Sequence, residues 1–386
     1  MNKTRKACFV ICTLSALLLI RCSTVKKPSY QKLKTVSFEL TYIPSTWGYF
    51  YEKDSLYFYT HNYPTHKNID ILNQKGQVVH NINLNRLNLN TEKINIDIYN
   101  LDSIFVLNKK PAILYWLNKN GLIIRKILID SLFYHQTIYN KGKCKHFEVY
   151  SFGDIIHKGN LLTVIHVIDT LYRPSASQNM TEILLYNNKY LREKPQLLQI
   201  KNVLNSSARV IHDANWINKT IREEDEEHPV FPSYTYIEDK ITFYFSYDKH
   251  IYFVNSEDLS FERKIPIYSD YTELEYKKKK ITEKRQMYVV MYKGAILQVY
   301  NKNNEHLVLL RHEVPFPEKE EMISPPDRFE TRYSVIIYDK QWQKQKEILL
   351  PEKEKFVAFL PNKQFITQSK TKNARQVTLN FYQFIE

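Results

Sequence analysis

Glycine is scarce in this sequence, at 7 of 386 residues, and a chain so short of it must make its turns from something else. Asn and Asp are the available substitutes, because both tolerate left-handed backbone and close side-chain turns. Long apolar runs are missing beyond the N-terminus: Ala7 to Ile20 carries no charge and no comparable stretch follows. Nothing downstream therefore offers the ~20 apolar residues that a membrane-crossing helix requires. Helical periodicity is hard to find as well. The charged stretches around Ile217 to Glu227 and Tyr271 to Arg285 read as loop insertions rather than core helices. Gly-x-Ser-x-Gly, His-Glu-x-x-His, a Walker loop and a glycine-rich dinucleotide turn are all absent, which removes the usual sequence support for a serine hydrolase, a zinc protease or a nucleotide-dependent enzyme.

What is present at the N-terminus is an export signal. Lys3, Arg5 and Lys6 precede the apolar run, which has the length of a signal h-region and is too short to span a bilayer. Leu18-Leu-Ile-Arg-Cys22-Ser resembles the lipobox of bacterial lipoproteins, with Arg21 where that pattern has a small residue. The resemblance implies cleavage before Cys22, acylation of Cys22, and the lipid bilayer as a partner. A plain signal cut nearby, or an uncleaved anchor, are the alternatives. With Cys8 and Cys12 in the signal and Cys22 lipidated, Cys144 is left alone, so no internal disulfide is available and Cys144 reads as a buried thiol. The segments expected are a signal over 1–21, a tether over 22–34 and a folded body over 35–386. Ser23-Thr-Val-Lys-Lys27 lacks an acidic cluster, which favours the periplasmic face of the outer membrane over the cell surface.

The body alternates. Val36-Ser-Phe38-Glu-Leu40, Ile94-Asn-Ile96-Asp-Ile98, Ile241-Thr-Phe243-Tyr-Phe245 and Val377-Thr-Leu379-Asn-Phe381 each put an apolar residue at every second position, the period of a strand. Tyr and Phe, at 29 and 20 residues, suit the same structure. Asn73-Gln-Lys-Gly76, Asn118-Lys-Asn-Gly121 and Asn301-Lys-Asn-Asn304 sit between apolar runs as hairpin turns should. These turns belong to a repeat: Asp54-Ser-Leu-Tyr-Phe leads to the turn at Gly76, and Asp102-Ser-Ile-Phe-Val to the turn at Gly121. Further copies start near Asp239, Gly159, Met287 and Tyr333. A unit of strand, loop, strand, turn and strand every ~45–60 residues has the scale of a propeller blade. The fold expected is all-β, a six-bladed β-propeller, with seven blades or a β-sandwich as alternatives. The ring is expected to close by pairing Val36 to Leu40 with Val377 to Phe381.

Tyr288 to Arg311, Arg332-Tyr-Ser-Val-Ile-Ile-Tyr-Asp339 and Glu347-Ile-Leu-Leu-Pro351 resemble segments of a family of uncharacterised lipoproteins from Bacteroides-type Gram-negative anaerobes. That family has a six-bladed propeller body and is filed as a domain of unknown function. The resemblance implies fold and compartment; it implies no activity.

Net charge is +14 and diffuse, Lys277 to Lys280 being the one run of four basic residues, set against the acidic run Glu223 to Glu227 and Glu318, Glu320 and Glu321. No nucleic-acid partner is expected without a basic stripe on a reading element. His61 with His66, Cys144 with His146, and Arg311 with His312 are the histidine groupings. None has the three or four ligands of a metal site close in sequence, so neither metal nor cofactor is expected. Arg311 and His312 are the candidates for a channel-facing binding role. Two functions fit: an envelope-anchored module that binds or scaffolds a protein, peptide or glycan, and alternatively a carboxylate-based glycan hydrolase or lyase working at the channel mouth.

Overall fold

The computed structural model describes residues 29–385 except 129–143, 151–155, 170–195, 201–207, 212–232, 275–291, 317–325 and scattered breaks of four residues or fewer; over 144–211 it describes strand backbone alone. The chain enters through β1 (Tyr30–Glu39). The first blade follows as β2 (Thr46–Glu52), β3 (Ser55–Asn62), β4 (His66–Leu72) and β5 (Val78–Asn83), and the second as β6 (Ile94–Asn100), β7 (Ser103–Lys109), β8 (Ala112–Leu117) and β9 (Ile123–Leu128). Next come β10 (Cys144–Tyr150), β11 (Ile156–His157), β12 (Asn160–Asp169), β13 (Gln196–Ile200) and β14 (Ala208–Ile211). Two further blades are β15 (Ser233–Ile237), β16 (Lys240–Tyr244), β17 (His250–Val254) with β18 (Phe261–Pro266), and β19 (Ala295–Lys302), β20 (Glu305–Arg311), β21 (Tyr333–Tyr338) with β22 (Lys344–Leu349). The last consists of β23 (Glu354–Leu360), β24 (Gln364–Ser369) and β25 (Gln376–Phe384), to which β1 adds the fourth strand.

The chain is an all-β propeller, with antiparallel sheets laid down in sequence order. Six four-stranded blades were expected, and the described residues make five of that form. The sheet of β10 to β14 departs from the plan, because the chain doubles back between β10 and β12 and adds β11 through Ile156 and Leu161. A β-sandwich is set aside: separate apolar clusters join the first blade to the second, β15–β18 to β19–β22, that blade to the last, and the last to the first. One blade cannot cover its own faces, and each is covered by its neighbours around an axis. The middle strands consequently lose their alternation. Ile104, Phe105, Val106 and Leu107 are consecutive on β7 and all buried, and β21 is buried along its whole length. The outermost strands β5, β9 and β18 stay mostly exposed.

The ring closes as the alternating ends of the sequence predict, with Val36 opposite Leu379 and Phe38 opposite Val377. Polar side chains stitch the seam: the Thr35 hydroxyl donates to Asn380 Oδ1 at 2.9 Å, and Asn380 Nδ2 donates to Glu354 at 2.9 Å and to the Ser369 hydroxyl at 2.7 Å. The strand begins at Tyr30 rather than near 35. Residues 30–34, expected in the tether, lie in β1, whose outermost position leaves room for the polar Gln31 and the charged Lys32 and Lys34.

A common turn recurs between the third and fourth strands of three blades. Asn73 Oδ1 accepts the amides of Lys75 and Gln77 at 2.9 and 3.1 Å, and Asn118 Oδ1 those of Asn120 and Leu122 at 3.0 and 3.1 Å. Asp339 Oδ1 does the same for Gln341 and Gln343, both at 2.9 Å. The fourth position is left-handed in all three, with φ of 77° at Gly76, 72° at Gly121 and 63° at Trp342. Each of these turns leans on the preceding blade. A Cβ on Gly76 would lie 2.1 Å from Phe38 of β1, and one on Gly121 would lie 3.3 Å from the Asn83 carbonyl of β5. Trp342 instead fills the gap, stacking on His306 at 4.0 Å and meeting Phe253 of β17 edge-on at 5.2 Å.

Candidate functional site

Arg311 ends β20 and is opposite Ala295 of β19 and Tyr333 of β21. Its Nε and Nη2 donate to the Lys293 carbonyl at 3.3 and 3.0 Å, which fixes the guanidinium at the lip of a cavity of about 460 Å³ between the last two blades. Leu297, Leu309 and Phe356 form an apolar wall of that cavity.

A second cation, Arg328, reaches it from a turn that Asp327 builds. Asp327 Oδ1 accepts the Phe329 amide at 2.9 Å, and its carbonyl accepts the amides of Glu330 and Thr331 at 3.0 and 3.1 Å. Lys370 bonds the other carboxylate oxygen at 2.5 Å and holds this carboxyl below its usual range. A third cation, Lys355, comes from the start of β23. Tyr333 completes the lining, its hydroxyl donating to the Arg328 carbonyl at 3.1 Å.

Arg328 disfavours the charge on the other two cations. Burial lowers the proton affinity of the Lys355 ammonium, and Arg328 pushes it the same way. Burial does the same to Arg311, where Arg328 also acts in that direction against an opposing pull from Tyr333. Burial raises the Tyr333 phenol. Among the described residues lining the cavity there is no carboxylate. The arrangement presents positive charge beside an apolar wall in a space of small-ligand size.

Of the two residues singled out from the sequence, Arg311 lines the cavity and His312 does not. His312 is 6 % exposed, stacked on Tyr271 at 6.0 Å, with its Nε2 2.9 Å from the Ser334 hydroxyl. Ser334 spends its one proton on Glu347 at 2.6 Å, so the His312 nitrogen must be the donor. Glu347 is fully buried and also receives the Ser269 hydroxyl at 2.7 Å, the Asp270 amide at 2.7 Å and Lys344 at 3.0 Å. A His–Ser–Glu set could suggest a nucleophile, but Ser334 is wholly buried. The network is a strut that ties the segment after β18 to β21 and β22.

His61 is buried on β3, where burial pushes its imidazole down to about 4. The side chains of His66, Cys144 and His146 lie outside the described residues, as do Cys22, Glu223 to Glu227, Lys277 to Lys280 and Glu318 to Glu321. Among the described residues no group of three or more His, Cys, Asp or Glu is placed to hold a metal. Sequence reasoning missed Arg328, Tyr333 and Lys355. Only the turn-forming Pro325-Pro-Asp327 hinted that Arg328 would be displayed.

No family profile and no curated protein matches this chain. Among solved structures, it is similar to a member of the duf4221 family from Bacteroides vulgatus, with 13% identity, a TM-score of 0.62, and 92% of this chain and 97% of that one covered. It also matches the β-propeller domain of Cps50 (Swd1) from Myceliophteria thermophila at 8% identity and a TM-score of 0.40, over 92% of this chain and 99% of that one. A Bacteroides caccae protein of unknown function matches at 8% identity and 0.38, over 83% and 94%. At such identities the first of these likenesses carries the fold and nothing beyond it: the chain is a β-propeller.

Proposed function

We propose that this protein is an exported, lipid-anchored binding module of the cell envelope, held through Cys22 and taking its ligand in the cavity between the last two blades. The cavity itself is the observation that carries this reading: a space of about 460 Å³ whose lining joins the apolar Leu297, Leu309 and Phe356 to the cations Arg311, Arg328 and Lys355. The basic and apolar N-terminal segment ending at Cys22 supports the anchor. The sheet of β10 to β14 serves in this reading as the sixth blade, in keeping with its first strand lying against β7 and β8.

The strand directions favour the same arrangement. Tyr30 is opposite Phe384, at the Leu360 end of β23, whereas Lys355 stands at the start of β23. A tether ahead of residue 29 therefore leaves from the face opposite the cavity. An anchored protein would hold its cavity towards the aqueous space.

The test is a binding screen of the full chain in detergent against envelope and dietary glycans and short peptides, read by thermal shift. A ligand that raises the midpoint in the native chain and not in Leu297→Trp, which fills the cavity without changing its charge, supports the reading. Ligands that bind both equally would place recognition elsewhere.

A further inference from the structure

Among the described residues that line the cavity, charge is unbalanced. Arg311, Arg328 and Lys355 come from three separate segments and line one space, yet three acids near them in sequence are turned to other work. Asp327 is taken by Lys370 and the Phe329 amide, Glu352 pairs with Arg332 at 2.9 Å, and Glu354 collects Thr367, Asn380 and Tyr382 on the sheet seam. Among the described residues neither Arg328 nor Lys355 has a carboxylate partner.

Gathering like charges in one space opposes folding, because Arg311 and Lys355 lose water and both face the repulsion of the exposed Arg328. Such a cluster becomes favourable once a counter-charge enters. Arg and Lys together suit an oxyanion, the guanidinium offering a planar fork and the ammonium a mobile point charge. The anchoring of Arg311 on the Lys293 carbonyl holds one of these charges in place before any ligand arrives, so less order has to be imposed on binding.

Size and wall define the rest of the ligand. A bare inorganic ion would leave Leu297, 36 % exposed, facing water, whereas a ring-sized carbon frame would cover it. Resting on the reading of this cavity as the ligand site, we propose that it selects a small organic oxyanion, its charged group held by Arg328 and Lys355 within the field of Arg311 and its carbon frame laid on the apolar wall. Carboxylate, phosphate and sulfate share the chemistry required, and an acidic hexose of any of the three kinds has the right size.

The experiment is titration calorimetry and thermal shift on the full chain in detergent, with glucuronate, glucose 6-phosphate, glucose 6-sulfate, neutral glucose, inorganic phosphate and a tetraglutamate peptide as probes. At least one acidic hexose should bind tenfold or more tightly than glucose or inorganic phosphate, and the pattern among the three identifies the oxyanion. Lys355→Met and Arg328→Gln should each weaken it about tenfold, and raising the salt should weaken it further. Lys355→Met should also raise the thermal midpoint of the unliganded protein, a gain that a residue needed only for folding would not give.

Absence of binding by all three acidic hexoses overturns the proposal, as does binding that ignores both substitutions. Tetraglutamate binding in their place overturns it in favour of an acidic protein partner. Glucose binding that survives Lys355→Met and is lost in Leu297→Trp would retain the cavity as the ligand site and remove its selectivity for anions. Binding that survives Leu297→Trp would remove the site itself.

Discussion

Phe38 lies directly against Gly76: a Cβ on that glycine would stand 2.1 Å from the ring's Cγ. Phe38 belongs to the strand that closes the ring and Gly76 to the first blade's hairpin, so the contact joins the last blade to the first. Gly76→Ala must adopt a φ of 77° and also displace Phe38. It should destabilise the protein by at least about 1–3 kcal/mol. Gly121→Ala carries the same backbone strain and only a 3.3 Å approach, so it should cost less. Urea unfolding of the two variants checks the order.

Trp342 occupies the position that is Gly76 and Gly121 elsewhere. Its strain is offset by stacking on His306 and packing on Phe253. Trp342→Ala should cost about 3–5 kcal/mol. Trp342→Gly, although smaller still, should be no worse, because glycine takes the left-handed backbone without penalty. Thermal melts of both variants decide this; a glycine variant far below alanine would show that the backbone is unstrained.

His61 sets a pH dependence. Its imidazole titrates near 4 in the fold against an ordinary 6.5, so between those values the unfolded chain binds more protons. The stabilisation is complete above about pH 6.5 and is lost as pH falls towards 4, by up to about 3 kcal/mol. His61→Phe should flatten that part of the stability profile, measured by denaturant unfolding at steps of half a pH unit.

Deleting residues 376–386 removes β25 and with it the only partner of β1 among the described residues. Cooperative unfolding should be lost or its midpoint lowered by well over 10 °C, while deleting residues 23–28 should leave it unchanged. A melt unaffected by the first deletion would contradict the closure.

If Cys22 is acylated, Cys22→Ala should move the protein from the membrane to the soluble fraction, and a palmitate analogue should label only the parent. A mature N-terminus elsewhere, free of acyl mass, would overturn the anchor.

The alternation of Val36 to Leu40 and of Val377 to Phe381 made the closing pair legible, and the Asn-x-x-Gly turns made the hairpins legible. Each depends on local spacing. The start of β1 was hidden because Gln31, Lys32 and Lys34 look like a linker, and only an outermost strand tolerates them. Trp342 was hidden because a bulky residue at a left-handed position contradicts local preference and is held there by the neighbouring blade. Arg328 and Lys355 meet across two blades, and no spacing within the chain announces such a meeting. His312, next to Arg311 in sequence, was assigned the same role although successive strand-end residues point to opposite sides.

The closing seam has a consequence in time. Thr35 and Asn380, which bond across it, are 345 residues apart, so the first strand to leave the ribosome is the last to find its partner. Until the final residues emerge, β1 and β24 each present an unsatisfied edge, the kind of surface on which nascent chains stick to one another. A long-range closure of this sort is also slow, because the whole intervening chain must first be gathered in. The charged residues along β1 then serve a second purpose: during that wait they make the leading strand a poor template for any neighbour.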